Sequence, residues 1–508
     1  MSESPARQTF ADFGRPFQST SPATGEVVWE GRAASELQVD RAVDEARRSN
    51  QHWRLTPLEK RIEVARRFAA LAENGRAELA SSIAAETGKP RWESDAEAGL
   101  VAAKVDVAID AQRSRCGDDT IHLPQGNGRL WHEPVGAVAV LGPFNFPAHL
   151  PNGHIVPALI AGNSVVFKPS EATPATGELL ASWWAEAGLP VDVLQVVHGG
   201  RSVGQRLVRS QVDGVFFTGS YAGGCAIHRE LAGRPEVLLA LEMGGNNPIL
   251  VHDVSDIDAA AKTCVLSAFV TAGQRCTCAR RLILVDGADA NRLIHRVLEV
   301  AGACTVGYSD DEVDPFCGPL ISAEAGRRVL QTQSEWNGRG GELLLSAQSL
   351  RDNDALVSPG LVDVTAMSER EDTEVFGPLL QVIRVPDVES GFREANATAY
   401  GLAAGLLSDD VELFDRFRRH VRAGVVNWNQ PTIGASGRLP FGGWGASGNH
   451  RPSGYFAADY CNQAAAGIET PRLHWAEGKY PSLDLTDLPQ KSVMEQRDSS
   501  KPSLDDLA

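Results

Sequence analysis

Between residues 135 and 252 the chain alternates short, nearly unbroken apolar runs with longer stretches of helical spacing. The runs are residues 135–141 (VGAVAVL), 164–168 (SVVFK), 193–197 (VLQVV), 215–218 (VFFT), 238–241 and 249–252. Runs this short, without polar alternation, suit strands buried on both faces. The stretches between them, such as residues 174–187 closed by Gly188, suit crossover helices. The pattern predicts a parallel α/β sheet. Residues 280–440 repeat it, with 282–285, 379–385 and 424–428 as candidate strands, so a second α/β lobe is expected.

Upstream the spacing is helical. Val39, Ala42, Val43 and Ala46 mark a helix over residues 38–53. Thr56-Pro57-Leu58-Glu59 reads as a capping box, with Thr56 as N-cap, Pro57 at N1 and Glu59 at N3. The helix it starts is expected to break at Asn74-Gly75. A second should end near Gly88-Lys89-Pro90, and a third should run from Glu93 to about Arg113. Residues 121–134 alternate apolar and polar positions around Gly126-Asn127-Gly128 and read as a hairpin, serving either assembly or a plain surface ribbon. Residues 1–20 and the Ser-, Pro-, Asp- and Lys-rich tail, 482–508, are expected to be disordered.

A length of 508 residues is enough for several domains or for interleaved lobes of one body. A net charge of −17 argues against binding nucleic acid or an anionic membrane, while leaving room for a local cationic pocket. The eight cysteines keep no framework spacing, which fits a reducing compartment. With no signal-like apolar segment and no run of membrane-spanning length, a cytoplasmic protein is expected.

The candidate chemistry clusters in a few turns. Cys276 follows Gly273-Gln274-Arg275 and lies among Arg275, Arg280 and Arg281. A positive field favours thiolate, the nucleophilic form; the alternative is an inert buried cysteine. Cys276-x-Cys278 lacks a matching Cys/His pair, so no metal is expected. Glu242, in LEMGGNNP, ends an apolar run; apolar walls would raise its pKa and suit it to general-base work, or it is a salt-bridged structural residue. Asn145, in the rigid turn GPFNFP, can donate to an oxyanion or simply form the turn. Lys168 and Glu171 end another strand, where they can hold ribose hydroxyls or form a solvated turn. Gly219, Ser220, Tyr221, Ala222, Gly223 and Gly224 follow a strand and open a helix, either a phosphate cradle or an ordinary junction. Glu374 and Phe376 sit in the Gly/Pro turn EVFGP.

Taken together and in order, PFNFP, FKPSE, FTGS, LEMGGNNP, AGQRC, EVFGP and PFGG resemble the aldehyde dehydrogenase superfamily over roughly residues 20–470. The resemblance implies a nicotinamide-binding lobe (1–113 and 135–242), a catalytic lobe (243–449) and an oligomerisation arm (114–134 with 450–475), hence a homodimer or higher homo-oligomer. It implies NAD as cofactor, Cys276 as nucleophile, Asn145 at the oxyanion and Glu242 as the base that hydrolyses a thioester. It places Lys168 and Glu171 on the adenosine ribose, residues 219–224 at the pyrophosphate, and Glu374 with Phe376 at the nicotinamide ribose. A finer likeness, carried by FNFPAHLPNGHIVPAL, FVTAGQRCTCARRL, VNWNQP and FGGWGASGNHRPS, is to members that oxidise N-succinylglutamate 5-semialdehyde in arginine breakdown. Trp444 and the polar tail depart from that pattern. Glutamate or succinate semialdehyde are alternative substrates; a cysteine hydrolase without redox activity, or a non-catalytic protein of the same fold, are alternatives of other classes. For a dicarboxylate substrate, Arg275 is the candidate carboxylate clamp, unless it packs structurally. Gly153, in a run expected to begin a helix lining the tunnel, would leave room for the succinyl-amino group.

Overall fold

The computed structural model describes residues 13–124 and 126–473. They form two compact units, one taking residues up to 118 and 131–465, the other 119–130 and those from 466 onward. The larger unit contains the two large sheets. The first has five strands: β1 Ala137–Leu141, β2 Ser164–Lys168, β3 Leu194–Val196, β4 Gly214–Gly219 and β5 Leu238–Met243, ordered β3-β2-β1-β4-β5 and parallel throughout. The second has seven: β6 Asn247–Val251, β7 Ala279–Val285, β8 Glu342–Leu345, β9 Gly360–Asp363, β10 Leu379–Val385, β11 Ala403–Leu407 and β12 Val425–Trp428. Their order is β8-β9-β10-β7-β6-β11-β12, parallel except for the antiparallel edge pair β8–β9.

The unbroken apolar runs are explained by burial on both faces. Val138, Val140, Val165 and Phe216 pack on one side of the first sheet, while Ala139, Val166 and Val215 pack on the other. Each such large side chain removed from water contributes about 1.5–3 kcal/mol. Strand order reverses between β1 and β4, and the loops leaving their C-terminal ends open a crevice there, the usual ligand position in open α/β sheets. The chain then passes from β5 to β6, from one sheet to the other, within the three residues Gly244-Gly245-Asn246.

Several expectations are corrected. Thr56 does not cap a helix: the helix Leu58–Asn74 starts one residue later with Pro57 at the N-cap position. Thr56 Oγ1 instead donates to the His52 carbonyl, and Glu59 pairs with Arg113 at 2.9 Å. The preceding helix, Glu36–Trp53, carries a capping box of its own, Ser35 with Gln38. Residues 16–20, expected to be disordered, form the strand Pro16–Thr20 against Val27–Arg32. Residues 1–12 and the tail 482–508 lie outside the described residues. Strands 342–345, 360–363 and 403–407 were not signalled by the apolar pattern, because two are only four residues long and the third is Ala-Ala-Gly-Leu-Leu.

The smaller unit takes in the outer part of a hairpin, Asp119–Leu130. Asp119–Leu123 pairs antiparallel with Gly126–Pro134 in the register Leu123↔Gly126, so the turn precedes Gly126-Asn127-Gly128, which lies inside the second strand. Asn462–Glu469 completes a three-stranded sheet. Among the described residues, no helix is long and apolar enough to cross a membrane.

Candidate active site

A cavity of about 890 Å³ opens at the crevice beside β1 and β4. Its walls bring together Asn145, Gly153, Gly219, Ser220, Glu242, Arg275, Cys276, Glu374 and Phe376, which are far apart in sequence.

Cys276 is delivered by an abrupt reversal. The helix Ile257–Phe269 ends, and Thr271, Ala272 and Gly273 all take left-handed backbone angles, with φ of 59°, 50° and 71°. At Gly273 a Cβ would run into the Gly377 carbonyl, so this position requires glycine. The strain at Thr271 is held by side chains: Thr271 Oγ1 donates to buried Glu93 and accepts from Arg275 Nε at 2.7 Å. Asn247 Nδ2 donates to the carbonyls of Cys276 (2.7 Å) and Cys278 (2.9 Å), pinning the far side of the loop.

The thiol is not bathed in positive charge. Burial above all, with Glu374 and Glu242 adding to it and Arg280 opposing slightly, pushes the Cys276 thiol up to about 12. The expected field is absent because the arginines are engaged elsewhere. Arg275 pairs with Glu93 at 2.8 Å. Arg281 donates to the carbonyls of Asn246, Glu394 and Ala395, and Arg280 to those of Arg275 and Gly377. Arg275, the candidate carboxylate clamp, is thus already neutralised by a carboxylate of the protein. Removing it would strand a buried charge. Arg275→Met is expected to lower the unfolding free energy by about 3–5 kcal/mol in urea titrations, and Glu93→Gln in the same chain should restore most of the loss. An unchanged midpoint for Arg275→Met would show that the pair is not load-sharing.

Two carboxyl groups face the thiol. Glu242, near the end of β5, accepts from the Ser453 amide at 3.1 Å through Oε1, while its buried Oε2 has no partner among the described residues. Burial raises its pKa to about 8, as the apolar run ahead of it implies. Glu374 is raised by burial to about 7, against opposing effects of Arg280 and the Gly245 amide; its buried Oε1 stands 3.8 Å from Arg280 and accepts no hydrogen bond among the described residues. It packs where a side chain at Gly244 would otherwise lie.

Asn145 follows β1 and donates through Nδ2 to the Gln274 carbonyl at 2.8 Å, leaving its second amide hydrogen for another acceptor. Next to it the Phe146 ring has Lys89 Nζ 3.6 Å and the Arg275 guanidinium 4.9 Å from its centre, contacts that fix the turn. The helix α1 His149–Ala161 starts immediately afterwards, its first amides at Ala148 and His149 held by Glu97. On α1 a Cβ at Gly153 would meet nothing within 4 Å.

Ser220 caps the helix α2 Tyr221–Glu230, its hydroxyl accepting from the Gly223 amide at 3.2 Å. Tyr221, Ala222, Gly223 and Gly224 run on into α2 and are not among the cavity walls; Tyr221 meets Tyr400 edge-on with ring centres 6.0 Å apart. Lys168 and Glu171 are also outside the walls, but Lys168 ends β2 on the same sheet edge as Gly219. Its ammonium donates to the carbonyls of Pro169 and Gly199 and stands 3.5 Å from Glu171. Phe376 packs edge-on against Phe144. Sequence reasoning missed Lys104, His149, Gln274 and Ser453 as cavity residues, whereas Gly153 and His154, from the run expected to line the tunnel, do line it. A lone Lys in a helix and an isolated Ser carry no motif.

A model of the aldehyde dehydrogenase family matches residues 10–465. The chain is 50% identical over 473 residues to N-succinylglutamate 5-semialdehyde dehydrogenase of Ectopseudomonas mendocina (strain ymp), covering 93% of this chain and 97% of that protein. It is 48% identical to the protein of that name from Pseudomonas fluorescens (strain Pf0-1), covering 92% of this chain and 96% of the relative. Among solved structures, 1-pyrroline-5-carboxylate dehydrogenase from Thermus with bound NAD superposes with a TM-score of 0.85 at 29% identity over 90% of each chain. NADP-dependent glyceraldehyde-3-phosphate dehydrogenase from Bacillus halodurans C-125, complexed with NADP, gives 0.84 at 27% identity over 90% of this chain and 96% of its own. From the match over residues 10–465 and relatives about half identical along nearly the whole chain, this protein belongs to the aldehyde dehydrogenase family.

Proposed function

We propose that this chain oxidises N-succinylglutamate 5-semialdehyde to N-succinylglutamate, using NAD. The observation that carries the chemistry is the presence of Cys276, Glu242 and Asn145 on the walls of one cavity. The substrate follows the relatives that carry its name. Cys276 Sγ attacks the aldehyde carbon, and the thiol, held neutral by burial, releases its proton to water in the cavity as the C–S bond forms; loss of hydride from that carbon then leaves a thioester. Charge developing on the carbonyl oxygen is met by the second Asn145 amide hydrogen and the Cys276 backbone N–H. Glu242 then takes a proton from water, which attacks the resulting thioester and frees the acid.

The chain's residues fit a nicotinamide dinucleotide. Glu374 presents a buried carboxylate oxygen that accepts no hydrogen bond among the described residues, suited to accept from a ribose hydroxyl. Ser220 opens α2 at the crevice, where helix amides face a pyrophosphate. Lys168 and Glu171 lie along the same edge for the adenosine ribose. NAD, when bound, takes up the hydride that leaves the substrate carbon.

Residues 1–113 and 135–242 serve as the nicotinamide-binding lobe and 243–449 as the catalytic lobe. Self-association through residues 114–134 and 450–475 is supported by the strand Asp119–Leu123, exposed at every residue with Ile121 outward, an edge open to pairing.

The test of the substrate is NADH formation with succinylglutamate, glutamate and succinate semialdehydes. The first should give the highest kcat/KM, and a higher value for either other aldehyde would replace it. NAD should be preferred over NADP, because a 2′-phosphate would approach Glu171. Glu171→Gln is expected to narrow the preference by up to about fivefold, the range for an exposed charge contact. Equal kcat/KM for both cofactors in the wild type would remove Glu171 from this role.

A further inference from the structure

The cavity contains a buried cation that lacks an acid. Lys104 and Leu100 line the cavity one helical turn apart on the helix Arg91–Arg115. Lys104 is 6% exposed, and its ammonium makes one hydrogen bond among the described residues, to the Gly454 carbonyl at 2.9 Å. Two of its three N–H donors are left over. The other cationic side chains of the walls each have a carboxylate: Arg275 has Glu93 at 2.8 Å, Arg339 has Glu371 at 2.9 Å and Arg328 has Glu324 at 3.9 Å. None is within ion-pair distance of Lys104 among the described residues, so it bears the cost of burying charge without compensation.

We propose that the Lys104 ammonium is the counter-ion for a carboxylate of the substrate, reading it on the cavity wall shared with His149 and Gly153. The inference rests on the proposed carboxylated substrate. Its surroundings suit that ligand. His149 and Gly153 stand one turn apart on α1, both facing the cavity. Gly153 leaves open space, and the buried His149 Nδ1 has no hydrogen-bond partner among the described residues, so in its N–H tautomer it can donate to a second carboxylate oxygen. Burial lowers the lysine to about 8, which keeps it mostly charged at neutral pH, and a bound carboxylate would hold it charged. In a chain of net charge −17, this is how a dianion can be drawn into the site.

The test compares Lys104→Met and Lys104→Gln with the wild type on N-succinylglutamate 5-semialdehyde, succinate semialdehyde and butanal, the last two matched in chain length but differing in charge. Met removes the charge and every donor; Gln removes the charge but retains a donor for the Gly454 carbonyl, and it carries the comparison if the Met variant does not fold. Both variants should lose about thirtyfold or more in kcat/KM on the carboxylated aldehydes, through KM, and less than about threefold on butanal. An equal loss on butanal would mean that Lys104 only supports the Ser453–Gly454 segment behind Glu242, and would overturn the proposal. So would a Gln variant that retains the wild-type preference for charged aldehydes. If the wild type prefers succinate semialdehyde over the succinylglutamate compound, the substrate assignment fails, while the contrast between succinate semialdehyde and butanal still decides the role of Lys104.

Discussion

Cys276→Ser should reduce aldehyde oxidation on the order of 10⁴-fold or more while leaving NAD binding intact, as measured by NADH formation and by fluorescence titration of the cofactor. The substitution keeps volume and hydrogen-bonding geometry, so the loop pinned by Asn247 should not move. What is lost is a sulfur nucleophile that can be ionised at all in this setting. A thiol pushed up to about 12 is already difficult to deprotonate, and a hydroxyl there is far worse. Cys278→Ser is the control. Cys278 is fully buried, with its sulfur 3.8 Å from the Val270 carbonyl, and it is not among the cavity walls. Its variant should retain most of its turnover. Survival of activity in the Cys276 variant together with its loss in the Cys278 variant would move the nucleophile two residues along the chain.

Glu242→Gln should give one rapid turnover of NADH per active site followed by a steady state slowed about 10²- to 10⁴-fold, the usual worth of a positioned general base. The amide keeps the bond from the Ser453 N–H but cannot take a proton from water. The wild-type steady state should carry the signature of the same group. A carboxyl raised to about 8 is neutral below that pH and inactive as a base, so turnover should climb as pH rises through about 8, and the Gln variant should not show the climb. Stability moves the opposite way. The folded protein holds this proton between the ordinary carboxyl value and about 8 while the unfolded chain releases it, so wild-type stability falls with rising pH across that window; Glu242→Gln removes this contribution, and the fall that remains, from Glu374, ends near 7. Disappearance of the rapid turnover would instead make Glu242 the base for the Cys276 thiol.

By itself the sequence determined the doubly buried strands of the first sheet and the inventory of reactive groups. The parallel sheet was legible because strands buried on both faces must be apolar throughout, as in residues 137–141 and 164–168. The raised Glu242 was legible for the same reason: a carboxyl closing such a strand has apolar walls wherever the strand lies. The turns carrying Asn145, Cys276 and Glu374 were legible because glycine and proline mark sharp reversals whatever surrounds them. Charge was not legible in this way. Arg275, Arg280 and Arg281 look like a cationic field around Cys276 in one dimension. In three, Glu93 and the backbone carbonyls of residues 377 and 394–395, remote in sequence, absorb it. The same holds for Lys104, which reads as one more polar residue on a helix until folding closes a cavity around it and leaves it without an acid among the described residues. Backbone shape and burial follow from local pattern, whereas the sign of a site follows from which distant groups the fold brings within hydrogen-bond reach, and only the tertiary structure decides that.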